Sequence, residues 1–179
     1  IFADKNDLDS ALVSYQNATR LNPADAESQY QLGKLLVLKQ QYKEAHPVLE
    51  KALSLRNNHA PTLYELSRVS FAEGDFKKTE KHLLLAIEKE NNNIGYFLAL
   101  AKAQIEIKKY DSALEYLFKA VKGDPENISA VFAICNTYSK KRYYAVAVGH
   151  CEKALKLSPG EPDIMNRLAW LYAKKGIKI

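Results

Sequence analysis

Apolar positions along the chain recur at the spacing of a helix, in short runs broken by polar turns. In residues 26–59, Tyr30, Leu32, Gly33, Leu36 and Val37 fall on one helical face. Gln40 and Gln41 interrupt the run, and a second one opens at Tyr42 with Ala45, Leu49, Ala52 and Leu53. The pattern predicts two amphipathic helices joined by a tight turn. The next stretch shows the turn more plainly in Glu73-Gly74-Asp75, where Gly74 can end one helix and Asp75 cap the next. Each pair closes on a helix-breaking cluster: Asn22-Pro23, Asn57-Asn58, Asn91 to Asn93, Asp124-Pro125 and Ser158 to Gly160. A last helix is predicted from Asp163 to Lys175. Pro47 falls a few residues into its helix, where a slight kink is expected.

The helix pairs repeat. Ala18, Ala52, Ala86, Ala120 and Ala154 lie 34 residues apart. A second column runs Ala11, Ala45, Thr79, Ala113, Ala147, and a third, mostly aromatic, runs Leu8, Tyr42, Phe76, Tyr110, Tyr144. A fourth is Leu32, Leu66, Leu100, Ile134, Leu168. Small residues at a crossing let two backbones approach, and the aromatic fills the wedge beside the turn. Thr79 in the small column is expected to loosen the packing of its pair. One pair cannot bury both of its faces, so pairs must stack on their neighbours. The phase predicts a single array: a partial unit 1–25, complete units 26–59, 60–93, 94–127 and 128–161, and a partial unit 162–179. Such an array looks like a fragment of a longer protein, with stacking faces uncovered around Leu12, Tyr15, Leu168, Leu171 and Tyr172. Head-to-tail self-association of one chain's last helix with another's first is the expectation.

Composition narrows the class. Of 179 residues, 47% are hydrophobic, enough for a sizeable core, and seven Gly with six Pro are few for an all-β protein. No apolar run is long enough to cross a bilayer, which predicts no membrane-inserted segment. The net charge of +5 is modest, and Lys140-Lys141-Arg142 aside, the cations are interspersed with Glu, which argues against nucleic acid as a partner. Cys135 and Cys151 cannot make a disulfide framework and fall in inward columns, so they read as small buried apolar residues. With reduced cysteines and no recognisable leader ahead of Ile1, the expectation leans towards the cytoplasm.

These residues resemble the tetratricopeptide repeat family. The signature is Leu32-Gly33, Tyr42, Ala45 and Ala52 in one unit, and Leu100-Ala101, Tyr110, Ala113, Ala120 and Pro125 in another. The resemblance covers essentially the whole chain, although Gln29, Leu63, Phe97, Val131 and Met165 stand where a large aromatic is usual. It implies an all-α fold, a right-handed α-solenoid of stacked antiparallel helix pairs. It further implies that positions 2, 5, 9, 12 and 13 of each unit line a concave groove. Position 5 holds Tyr30, Tyr64, Leu98, Phe132 and Asn166, and position 9 holds Lys34, Arg68, Lys102, Asn136 and Trp170. Position 12 holds Val37, Phe71, Ile105, Ser139 and Ala173. An apolar ladder beside a basic stripe suits an extended protein segment with apolar anchors and carboxylates. The plainer alternative is that Tyr30, Tyr64 and Phe132 pack between units while the lysines are merely solvated. The clamp with which some members hold a chaperone's terminal carboxylate is missing: its positions carry Tyr30, Lys34, Glu65, Gly95 and Ala99, and only Arg167 fits in another register. An inner asparagine ladder is missing too, with Gln31, Glu65, Ala99, Ala133 and Arg167 in its place.

Nothing points to catalysis, a metal or a cofactor. His46, His59, His82 and His150 show no paired-ligand spacing, and no phosphate loop or nucleophile elbow occurs. Two functions remain: a non-catalytic protein-interaction scaffold, or a regulatory or targeting module of a larger enzyme or of a secretion or assembly machine.

Overall fold

The computed structural model describes residues 5–175, all of whose regular structure is helical. The helices are α1 (Lys5–Leu21), α2 (Ala26–Leu38), α3 (Tyr42–Leu55), α4 (Ala60–Ala72), α5 (Phe76–Lys89), α6 (Ile94–Glu106), α7 (Tyr110–Gly123), α8 (Ile128–Lys140), α9 (Tyr144–Leu157) and α10 (Pro162–Lys175). The starts of α2, α4, α6, α8 and α10 are 34 residues apart, as are those of α3, α5, α7 and α9. The sequence period is therefore a period of structure.

Local chemistry sets these boundaries. Side chains of Asp25, Asn93 and Asn127 accept backbone N–H groups in the first turns of α2, α6 and α8. At α4 the equivalent residue, His59, makes no such bond, and a proline begins the helix instead. Asp75 caps α5 by accepting from the Lys78 N–H at 2.9 Å. Inside each pair the turn is one motif used four times. Its central residue is left-handed: Gln40 (φ 59°), Gly74 (φ 78°), Lys108 (φ 61°) and Arg142 (φ 65°). The following N–H then reaches back five residues, as from Gln41 to Leu36 O at 2.8 Å and from Tyr143 to Tyr138 O at 2.9 Å. Only Gly74 adopts this φ without a Cβ penalty.

The described residues form two compact units that divide between Asn91 and Asn92. In the first, α2 to α5 pack each on the next, α1 lies against α2, and α2 also meets α4. The second repeats the scheme, α6 to α10 packing in sequence while α8 touches both α6 and α10. The small columns sit at the crossings. Ala45, Ala113 and Ala147 are fully buried, as are Ala86, Ala120 and Ala154. Thr79 is just as buried, and its hydroxyl donates to Asp75 O at 2.8 Å, so the expected looseness is not seen. At Gly33 the helices approach so closely that an added Cβ would stand 2.4 Å from a Leu49 methyl carbon.

Two sequence expectations need correction. Cys135 and Cys151 are joined in a disulfide with Cα atoms 5.3 Å apart, which removes the reduced-cysteine ground for a cytoplasmic location. The two sulfurs occupy the columns held by Gly33 and Leu49, Ser67 and Leu83, and Ala101 and Leu117 in the other pairs. A covalent bond thus replaces a small-against-leucine contact at the α8–α9 crossing. Second, the residues expected on uncovered end faces turn inward. Leu168 is 8% exposed and Leu171 0%, both packed with Tyr172 on the disulfide cluster, while Leu12 and Tyr15 pack on the core of α2 and α3. No described helix is long and apolar enough to cross a membrane.

The disulfide closes a loop of 16 residues, worth about 3 kcal/mol by chain entropy. Reduction is therefore expected to lower the melting temperature of the oxidised protein. A Cys135→Ala, Cys151→Leu variant, which restores the packing of α6 on α7, should melt at one temperature with or without dithiothreitol. At the turns, Lys108→Gly should stabilise by about 0.5–1 kcal/mol in denaturant unfolding, since glycine relieves the left-handed strain.

Candidate functional site

In the first unit the residues expected to face a groove lie on α2 and α4. Tyr30 and Tyr64 are half-buried there, and the Tyr30 ring meets the His59 ring edge-on at 5.2 Å. Phe71 packs edge-on against Phe76 at 5.2 Å. Val37, expected in the groove, is 1% exposed and belongs to the core between α2, α3 and α4; its side chain is packing. Lys34 and Arg68 remain partly accessible, but Arg68 does not offer a free cation. Its guanidinium donates to the Glu65 carboxylate at 2.8 Å, one turn back on α4. Glu65 itself is 4% exposed. Burial raises its carboxyl above the usual carboxylate range, against the opposing pull of Arg68 and Lys34. Burial and then Glu65 likewise push the Tyr30 hydroxyl up. The basic stripe read from the sequence is therefore neutralised at Arg68 by an acid that faces the same way.

In the second unit the residues expected to face a groove lie on α6, α8 and α10. Leu98 and Ile105 lie half-buried against the α6–α7–α8 core, and Lys102 is exposed. Four expected residues then come together. Phe132 and Asn136 of α8 face Asn166 and Trp170 of α10 across a cavity of about 420 Å³, completed by Asp163 and Arg167. At position 12, Ser139 is buried while Ala173 is exposed. Trp170 is held from three directions: the Tyr144 ring lies edge-on at 5.9 Å, the Arg167 guanidinium 5.7 Å from its centroid, and Lys174 Nζ at 5.6 Å. It stays 41% exposed. The Asn136 carboxamide oxygen is buried and has no hydrogen-bond partner. A buried acceptor left unpaired costs stability.

Asp163 and Arg167 were missed as lining residues. Asp163 occupies position 2, one of the groove positions, and Arg167 the position weighed only for a carboxylate clamp and an asparagine ladder. Among the described residues no group of three or more His, Cys, Asp or Glu could hold a metal ion. The histidines are engaged locally: His82 Nδ1 is 3.5 Å from Ser70 Oγ, and His150 stacks on Tyr138 at 5.7 Å.

The raised carboxyl of Glu65 sets a pH dependence. Because its folded value lies above its unfolded one, ionising it costs stability, and the cost appears as pH rises through and beyond the carboxylate range. Gln copies the protonated form. Melting curves of wild type and Glu65→Gln should lie closest near about pH 4 and separate towards neutrality, the variant becoming relatively more stable. A wild type that gains on the variant with rising pH would instead show Arg68 outweighing burial.

Comparison with known proteins agrees with this architecture. A family model described as TPR repeat matches residues 1–40, and one for anaphase-promoting complex, cyclosome, subunit 3 matches residues 41–120. No curated protein matches the chain. Among solved structures, YrrB, described as a TPR protein with an unusual peptide-binding site, is 27% identical with a TM-score of 0.78, over 95% of this chain and 84% of that one. The APC/C hetero-tetramer Cut9–Hcn1 superimposes with a TM-score of 0.83 at 22% identity, over 95% of this chain and 34% of that one. MamA from Desulfovibrio magneticus RS-1 gives 0.80 at 24%, over 87% and 88% of the respective chains. Ten helices among the described residues, paired at a 34-residue period, together with these matches support a protein of the tetratricopeptide repeat family.

Proposed function

We propose that the chain is a non-catalytic scaffold that holds an extended protein segment, apolar with acidic residues, against the inner helices of its units. The observation that carries this is the cavity between α8 and α10, where a half-exposed Trp170 and a guanidinium converge. The peptide-binding site described for YrrB supports the reading, as does the general role of tetratricopeptide repeats as interaction scaffolds. The inner face of the first unit adds half-buried aromatics at Tyr30 and Tyr64 beside Lys34. A second reading, a module of a larger assembly, draws on the match of residues 41–120 to a subunit of the anaphase-promoting complex.

Affinity capture from a proteome, compared between wild type and a Trp170→Ala, Tyr64→Ser variant, tests the scaffold. A common set of proteins lost by the variant while its helical content stays intact is the expected result. Identical captures from both would exclude the inner faces. Charge reversal at Arg68 is the wrong probe, since it strands the buried Glu65 beside a second carboxylate.

A further inference from the structure

The two units present different charges at matched inner positions. A shift of 102 residues carries Tyr30, Lys34, Pro61, Glu65 and Arg68 of the first unit onto Phe132, Asn136, Asp163, Arg167 and Trp170 of the second. In the first unit the buried Glu65 already occupies the guanidinium of Arg68. In the second the acid is replaced by Arg167, no ion pair among the described residues engages it, and an open cavity of about 420 Å³ lies beside it. From the matched register of α8 and α10, Asn136 stands level with Trp170 and Phe132 with Asn166. Asp163 lies four residues before Arg167 in the first turn of α10, about 6 Å away along the axis.

We infer that the α8–α10 cavity is the anion-selective subsite of this protein, built for one acidic side chain within an extended peptide. It rests on the scaffold reading above and narrows it. The ligand carboxylate pairs with the Arg167 guanidinium, which the Trp170 ring holds in place, and Lys174 adds a second positive charge at that ring. An adjoining apolar side chain of the same segment covers Phe132. Asn166 supplies a further carboxamide on the same wall. Asp163 carries the opposing charge, but it is solvent-exposed and screened, whereas Arg167 is half-buried. The balance at the cavity therefore favours a carboxylate. The acidic residue is internal to its segment, because the inner face of the unit continues from the cavity past α8 to the half-buried Leu98 and Ile105 of α6. A chain lying in the cavity has further apolar surface to follow.

Trp170 is the only tryptophan in the sequence, so its fluorescence reports occupancy of this cavity directly. The probes are capped, tryptophan-free nine-residue peptide pools with one fixed central Glu among varied apolar and small neighbours, matched by pools with Gln or Lys at the centre. The Glu pool should change Trp170 emission in a saturable way, and the Gln pool should bind about tenfold more weakly. Arg167→Gln should abolish the preference for Glu over Gln. Asn136→Leu should keep the preference and raise the melting temperature, because an unpaired buried acceptor has been removed. Equal binding of Glu and Gln pools overturns the inference, as does tighter binding of Lys, which would make Asp163 the dominant charge. Pools that bind the protein by calorimetry without moving Trp170 overturn the subsite but leave the scaffold standing. Pools and captured partners that never bind at all overturn the scaffold as well.

Discussion

Every feature of this protein depends on how closely the two helices of each pair can approach. At the first complete crossing Gly33 lies so near Leu49 that even a methyl group would collide. The same two columns carry serine, alanine and finally cysteine against leucine or cysteine, so the crossing stays narrow throughout. Close approach buries the alanine columns completely and fixes the length of the intervening turn. That turn in turn demands a left-handed residue at one position, and the chain accepts the strain at Gln40, Lys108 and Arg142 without glycine. Packing across the pair outweighs about 1–2 kcal/mol of local backbone cost at each of them.

With the crossings fixed, the second helices and one side of each first helix are committed to the core. The remaining side of the first helices is where chemistry can vary. In the first unit that freedom is used for an internal ion pair, with Glu65 buried against Arg68. In the second it leaves a cavity, a buried acceptor without a partner and a tryptophan held by two cations yet open to solvent. A polar group left unpaired inside a protein is costly, and here one adjoins an open cavity that carries a guanidinium and a half-exposed tryptophan. The disulfide lies in the cluster on which Phe132 packs, together with Leu168 and Leu171 of α10. It therefore braces both walls of the cavity from behind.

The fold was legible because its cause is periodic. Alanine at a crossing, an aromatic at a turn and asparagine or proline at a unit end each recur at the 34-residue step, and a recurring constraint stands out from the variation around it. Site residues were legible only in part. Phe132, Asn136, Asn166 and Trp170 fall together on the cavity because the positions expected to face a groove are also periodic. Val37 shared that periodicity and still went into the core, since position 12 lies at the edge between the inner face and the crossing. Arg68 was counted as a free cation because a sequence lists Glu65 and Arg68 as neighbours without showing which of them is desolvated.

The sequence by itself determined the helices, their pairing, their caps and the family, because these follow from nearest-neighbour interactions that each unit repeats. Only the tertiary structure decided which inner side chains neutralise one another, which are left open, and that Cys135 and Cys151 bond instead of merely filling space. Those outcomes turn on distances of a few ångströms between residues far apart in the chain. A pattern of residue types fixes which face a side chain takes, but the partner it meets there is set when the helices close on one another.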